Sequence, residues 1–455
     1  MNIVTIAYKS IRQRSLASVL TSLSVALGVT LMVAVLVING TIERMFNQSA
    51  SGYDLIVGPK GSALQLVLNT IYRVSQPIEN LPYLYYQELQ EDSRIEAVIP
   101  FALGDVTEEG AFPIVGTIPL YFKVEYVPGK NFRTKGHFLR SPFDAVIGSA
   151  VARQNGWKLG DQFVMVHGGA ESDHVHDEKF TVVGILAPTG TPNDKTVFIH
   201  LSGFYMVAGH DKPLDEAIKR WRDFNGEDPL TEEELQAEIE RVEKESGHAE
   251  DDGHNHAGHE GHDHHETPDI QKEVTAVLVR MKGNKYGSFL TIQFQAELKE
   301  GFKAQAVNPV RQIRWLMDNI VGNVKTVLYI LTSLIIVVSA VGIFVSIYNS
   351  MSDRRKEIAI MRALGARRST VFSIILSESI LLCLSGGIMG LLMGHGLVFV
   401  AAPIVEARSG LLIDPFSFEL LELAIVGILV VLASLVGFIP SMTAYRTDVA
   451  KTLSD

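Results

Sequence analysis

The sequence predicts an α-helical membrane protein with four transmembrane helices and a large extracytoplasmic α+β domain between helices 1 and 2. Three observations lead there. Mean hydropathy is +0.19 and 47% of residues are apolar, although 20% are charged, a combination expected of a chain divided between membrane and water. Four apolar runs reach the roughly 20 residues that a helix needs to cross a bilayer. Between the first two runs, short β-rich segments alternate with turn residues and a few helical patterns.

The first region, residues 1–40, holds the first span, Leu16 to Ile38. This apolar run is longer than the roughly 7–15 residues of a cleavable signal core, which predicts an uncleaved anchor. The extracytoplasmic domain follows over residues 41–323. Its expected strands include "YDLIVG", "AVIPFALGDV", "FPIVGTI", "FKVEYV", "DAVIGSAVA", "QFVMVHG", "FTVVGIL" and "TVFIHL". Helices are expected over Pro82 to Glu91 and Ser149 to Asn155. Residues 211–269 turn charged and helical and read as an insertion into this domain. Residues 302–323 have helical spacing and are expected to form a stalk continuous with the second span.

The last region, residues 324–455, carries spans two to four: roughly Val327 to Ile347, Val371 to Ala402 and Leu421 to Pro440. Lys and Arg in the short flanks set the orientation. Lys9, Arg12 and Arg14 precede the first span. Arg354, Arg355, Lys356, Arg362, Arg367 and Arg368 lie between the second and third. Arg446 and Lys451 follow the fourth. Between spans three and four, Arg408 stands against Glu406, Asp414 and Glu419. Both termini are therefore expected on the cytoplasmic side of the membrane, with the long segment between the first two spans outside. A formal net charge of −11 argues against general nucleic-acid affinity. The single cysteine, Cys383, excludes a disulfide framework within the chain.

Three sets of residues stand out. Seven histidines, His248, His254, His256, His259, His262, His264 and His265, fall within residues 247–266 among six carboxylates. Neutral imidazoles at such spacings ligate zinc and similar ions, while the interspersed glycines favour a loose loop over one rigid site. The alternative is a solvated loop whose histidines are incidental. His174 and His176 are a second pair, at an expected hairpin tip. Gly386, Gly390 and Gly394 recur every four residues in span three, placing them on one face where helix backbones approach closely. Glu378 and His395 are ionisable residues of the same span, the first expected to find a structural partner. Between spans two and three, Ile358, Met361, Ala363 and Leu364 form a small apolar face ringed by arginines, with Gly365 ending a short helix. This is a compact knob suited to a partner's groove; from charge alone, a positive tether without a partner fits as well.

The same segment, "RRKEIAIMRALGARRSTV", resembles the hallmark of FtsX/MacB-like ABC transporter permeases. "IAYKSIRQRSLASVLTSLSVALGV" is similar to their amphipathic helix and first span. "AVIGSAVARQNGWKLGDQF" and "FTVVGILAPTGTPNDKTVFIHL" are similar to their extracytoplasmic domain. "ESILLCLSGGIMGLLMGHG" and "IPSMTAYRTDVAKTL" are similar to their third span and exit, with Glu378 and a Pro440-x-x-x-Ala444 pattern. The resemblance covers nearly the whole chain outside 211–269. It implies a coupling helix at about 354–366, with Arg354, Arg355, Glu357, Arg362, Leu364 and Gly365 as the residues that engage a separate cytoplasmic ATPase. It also implies a homodimer, or a heterodimer with a similar permease, with a periplasmic adaptor or substrate-binding protein as a further partner. ATP would bind the partner subunit. No G-x-x-x-x-G-K-[ST] phosphate loop is present, so the chain is expected to be a membrane subunit rather than an enzyme, with no intrinsic cofactor. Zinc transport through the histidine run, export of lipoprotein, lipid, peptide or drug, and regulation of a cell-wall enzyme all remain compatible with these residues.

Overall fold

The structure is a computed structural model describing residues 3–13, 15–48, 52–74, 76–127, 129–166, 178–207, 209–245, 267–283, 289–353, 355–409, 416–418 and 420–445. The chain divides into two compact units. One is helical (Met1–Arg44 with Met317–Asp455), and the other is an α+β unit (Met45–Leu316).

Helices α1 (Ile3–Gln13) and α2 (Ser15–Gln48) come first. The α+β unit opens with β1 (Leu55–Gly58), α3 (Ala63–Val67), a π turn over Leu68–Tyr72, β2 (Leu81–Pro82) and α4 (Tyr83–Glu91). Then come β3 (Ile95–Thr107), β4 (Pro113–Thr117), β5 (Thr134–Gly136), β6 (Asp144–Ile147), α5 (Ser149–Asn155), β7 (Gln162–Phe163), β8 (Met165–Val166), β9 (Phe180–Leu186) and β10 (Val197–His200). Helices α6 (Leu201–Met206), α7 (Leu214–Asn225) and α8 (Glu232–Glu245) precede β11 (Glu273–Val274), β12 (Ala276–Met281), α9 (Phe289–Glu300), β13 (Gln305–Val307) and α10 (Pro309–Leu316). A π turn, Met317–Val321, then leads into α11 (Gly322–Asp353), α12 (Arg355–Ala363), α13 (Arg368–Ser409) and α14 (Leu420–Tyr445).

The main sheet runs β13-β1-β12-β3-β4-β10-β6-β9-β5, with β7 on β9 and β8 on β3. The long strand β3 is its spine. Residues 95–101 pair antiparallel with β12, and Ala102, Leu103 and Val106 pair with β4 across a bulge that includes Gly104, whose φ is +135°. Two cores flank it. One gathers Leu55, Val57, Tyr85, Val98, Val277 and Phe294. The other gathers Ala102, Ile147, Phe163, Phe180, Val182 and Phe204.

Three segments depart from the sequence reading. "FKVEYV" is no strand: a 3₁₀ turn over Pro119–Lys123, opened by Pro119, buries the adjacent Tyr121 and Phe122 together among Phe101, Phe132 and Phe198, which strand alternation would not allow. "QFVMVHG" splits into β7 and β8, which pair with different strands. The helix expected from residue 302 starts at Pro309. Before it, β13 adds to β1 at the sheet edge with Ala304 and Ala306 buried in alternation. Asn308 caps the helix by accepting from the Arg311 N–H at 2.9 Å, and proline suits the first helical position because it lacks the N–H that would go unpaired there.

The block at 211–269 is only partly separable. Helix α7 buries Ala217 and Ile218 and packs Trp221 and Phe224 on the first core, with the Phe224 ring 5.1 Å from that of Tyr85. Helix α8 buries no residue.

Among the described helices, three are long and apolar enough to cross a membrane: Ser18–Thr41, Pro309–Asn349 and Arg368–Val405. In α14 the apolar stretch Gly427–Thr443 is shorter. The sequence expectation of four spans is therefore met by three on length and composition. The core of this unit joins Val25, Val29 and Val33 of α2 to Ile343 and Ile347 of α11, Cys383 of α13 and Leu429 of α14.

Candidate functional site

Helix α12 is closed by two reversed hydrogen bonds. The Ala366 N–H donates to the Met361 carbonyl at 3.0 Å and the Gly365 N–H to the Arg362 carbonyl at 3.0 Å. This Schellman arrangement requires a left-handed residue, and Gly365 supplies it with φ +100°. It fixes the residue before it, Leu364, which is 85% exposed.

The apolar face expected of Ile358, Met361, Ala363 and Leu364 is not one face. Ile358 and Ala359 are buried, and Ile358 and Met361 pack with Val371 and Ile375 in the unit's own core. Ile360 and Leu364, four apart, share the opposite side and stand exposed. Arg362 is half-buried on the other side of the helix, nearer Ile358. Arg354 lies outside the described residues. Arg355 and Glu357 lie in the first turn of α12, where the backbone alone is described.

The glycines of α13 face α2 one for one. A Cβ on Gly386 would lie 2.8 Å from Val25 Cβ, one on Gly390 would lie 2.6 Å from Val29 Cβ, and one on Gly394 would lie 2.8 Å from Val33 Cβ. The Thr30 hydroxyl donates to the Gly390 carbonyl at 3.2 Å across the seam, and Ser22 meets Ser385 at 3.0 Å. Backbones this close leave room for hydrogen alone at those positions.

Both ionisable residues of α13 have partners. Ser10 of α1 donates to Glu378 Oε2 at 3.1 Å, tying the amphipathic helix to the third span. His395 Nε2 lies 3.0 Å from Glu422 Oε2 of α14, with the Phe418 ring 4.6 Å away. Glu422 was not singled out from the sequence; a carboxylate one turn into an apolar helix was the feature that marked it.

His248, His254, His256, His259, His262, His264 and His265 lie outside the described residues, as do His174 and His176. Among the described residues, no group of three or more His, Cys, Asp or Glu side chains is placed to hold a metal ion.

Comparison with known proteins bears on both units. Residues 18–242 match the MacB-like periplasmic core domain, and residues 329–449 match the FtsX-like permease C-terminal region. The first match runs well into the block at 211–269. An uncharacterized ABC transporter permease of Methanocaldococcus jannaschii is 28% identical over 167 residues, 35% of this chain and 41% of that protein. The macrolide export ATP-binding/permease protein MacB of Bordetella avium is 30% identical over 131 residues, 28% of this chain and 19% of that protein. The chain thus spans less than half the length of these relatives. The periplasmic region of MacB from Actinobacillus actinomycetemcomitans overlaps 59% of this chain and 95% of its own at 12% identity, with a TM-score of 0.31, too low to argue from. The two family matches leave only residues 1–17, 243–328 and 450–455 uncovered. Carrying both regions in one chain, the protein belongs to the FtsX/MacB-like family of ABC transporter permeases.

Proposed function

We propose that the chain is the membrane subunit of an ABC system and couples ATP hydrolysis by a separate cytoplasmic ATPase to movement of its α+β domain outside the membrane. The observation that carries this reading is Leu364. A large apolar side chain is 85% exposed at the end of a helix whose opposite side is anchored in the spans, and a glycine turn holds it there. A tether would need no such geometry. The knob offers Ile360 and Leu364 to an apolar groove, with Arg362 across the helix for an acidic rim.

In this reading α14 is the fourth span. Its 26 residues extend roughly 39 Å at 1.5 Å per residue, sufficient for a bilayer core. Both termini and α12 are cytoplasmic. The subunit works as a dimer, alone or with a similar permease, and hands its movement to an adaptor or binding protein outside. The test is ATPase stimulation on reconstitution with the cognate ATPase. Arg362→Glu is expected to insert and purify as wild type but to lose most of the stimulation. Normal stimulation by that variant would overturn the assignment.

A second reading concerns cargo. Seven histidines in 20 residues favour a transition metal, zinc first, captured by the run at 247–266. Deleting 247–266 and, separately, introducing Gly365→Asp should shift cellular zinc in the same direction. A metal-neutral phenotype of Gly365→Asp alone would favour lipoprotein, lipid, peptide or drug export, or control of a cell-wall enzyme.

A further inference from the structure

The chain joins the α+β unit to the helices by two legs. It passes from α2 into β1, and from β13 through α10 and the π turn into α11. The two legs end on neighbouring strands. β1 and β13 pair antiparallel, with Ile56 opposite Val307 and Val57 opposite Ala306. Displacing one leg alone would load that pair in shear. The unit therefore moves as a body when both legs move together.

The chain itself connects one leg to the knob, since α11 ends at Asp353 and α12 begins at Arg355. The other leg, α2, is reached from the knob through α13. At the near end of α13, Val371 and Ile375 pack with Ile358 and Met361 of α12. Gly386 lies about 22 Å beyond Val371 along the same helix, at 1.5 Å per residue. From there to Gly394, Val25, Val29 and Val33 of α2 each stand in the notch that one glycine leaves. These valines are 4%, 1% and 0% exposed.

Two kinds of motion fit such a repeat. A slip of one turn would keep two of the three notches filled. It would also part the hydroxyls of Ser22 and Ser385, 3.0 Å apart, and move Thr30 off the Gly390 carbonyl. Polar groups in lipid need their partners, so these bonds resist the slip. The alternative is that the two helices move as one. We infer that the α2–α13 seam is a rigid strut that carries the displacement of the knob to the second leg, with Thr30 and Gly390 as positioning residues for that transfer. The inference rests on the proposed coupling to a separate ATPase.

The test uses full-length protein in lipid nanodiscs with the cognate ATPase, in a Cys383→Ala background. Two quantities are read: ATPase stimulation, and the ATP-driven change in energy transfer from a dye at Lys130→Cys to acceptor-labelled lipid. Gly390→Ala pushes a methyl group against Val29 and should reduce the energy-transfer change about threefold. The ATPase concentration giving half-maximal stimulation should stay as in the background protein, because the knob is untouched. A general loss of structure would move both. Adding Val29→Gly moves the side chain from one helix to the other and should restore most of the change. Gly396→Ala, with nothing within 4 Å, should behave as the background protein. A full energy-transfer change in Gly390→Ala would overturn the inference.

A second variant does not disturb the packing. Ser22→Cys with Ser385→Cys, without the dye, should oxidise to a disulfide across the seam and keep its ATPase stimulation. Stimulation lost on oxidation and regained on reduction would show a sliding seam and overturn the strut. Failure of the pair to oxidise would overturn the packing beneath it. A background protein with neither stimulation nor an ATP-driven change would overturn the coupling function itself, and the strut with it.

Discussion

In the α+β unit, Phe101, Phe180, Phe198 and Phe294 are fully buried, and Tyr121 alone touches the rings of Phe101, Phe122, Phe132 and Phe198. In the helical unit many large side chains face outward. Leu331, Val338, Leu392 and Val400 are 49 to 71% exposed, while Gly386, Gly390 and Gly394 make the inner contact. The difference follows from the surroundings. Water expels large apolar groups, so a domain in water is stabilised by the area it hides. Lipid has no such preference, so helices within it associate through close backbone approach and cross-helix hydrogen bonds such as that from Thr30 to Gly390. One chain therefore uses two kinds of core, and each should fail in its own way.

The largest expected effect lies in the aromatic core. Phe198→Ala should destabilise the α+β unit by about 3–5 kcal/mol, because the β10 neighbours cannot collapse into the void. Hydrogen exchange on the full-length protein should show the loss around β4, β6 and β10, with α13 unchanged. A loss spread equally over α13 would contradict the contrast between the units.

In the helical unit, addition should harm more than deletion. Gly390→Val places a side chain where Val29 Cβ and the Ala26 carbonyl already stand within 2.7 Å. A loss of about 2–3 kcal/mol is expected, read as a lower melting temperature in detergent. Gly396 has nothing within 4 Å of its Cβ direction, and Gly396→Ala should be neutral or slightly stabilising. Equal behaviour of the two variants would remove the special status of the seam.

A smaller effect sharpens the same contrast through pH. Arg94 grips Asp92 with Nη2 at 2.6 Å and Nε at 3.0 Å and reaches Glu297 with Nη1 at 2.7 Å, so Asp92 is held below its ordinary pKa chiefly by the Arg94 side-chain bonds. A depressed carboxylate contributes stability above its unfolded pKa and loses it as pH falls through the folded value. Arg94→Met should cost about 1–2 kcal/mol near neutral pH, and the gap to wild type should narrow below about pH 4. A constant gap across that range would assign the cost to packing on Phe294, whose ring lies 5.1 Å from Arg94 Cζ.

Much of this was legible in the sequence where one residue type has one physical use. Apolar runs of membrane length marked the spans. Gly365 after a short periodic segment marked the end of α12, because few other residues take φ +100°. The spacing of Gly386, Gly390 and Gly394 marked one face of α13, though not that α2 lies against it. What stayed hidden depended on tertiary partners. Ile358 and Leu364 have equal hydropathy claims to a docking face, and only the packing of Val371 and Ile375 decides which one is exposed. β13 reads as helix until β1 offers it an edge. Glu422 reads as a stray charge until His395 appears beside it.

The strand β3 belongs to both cores of the α+β unit, its first half hydrogen-bonded to β12 and its second to β4. A strand held in common cannot leave one core without unzipping the other. The two halves should therefore open as one foldon, with β3 amides exchanging by global unfolding alone. A force applied at either end of the sheet would be borne along that single ribbon, making the domain a stiff lever.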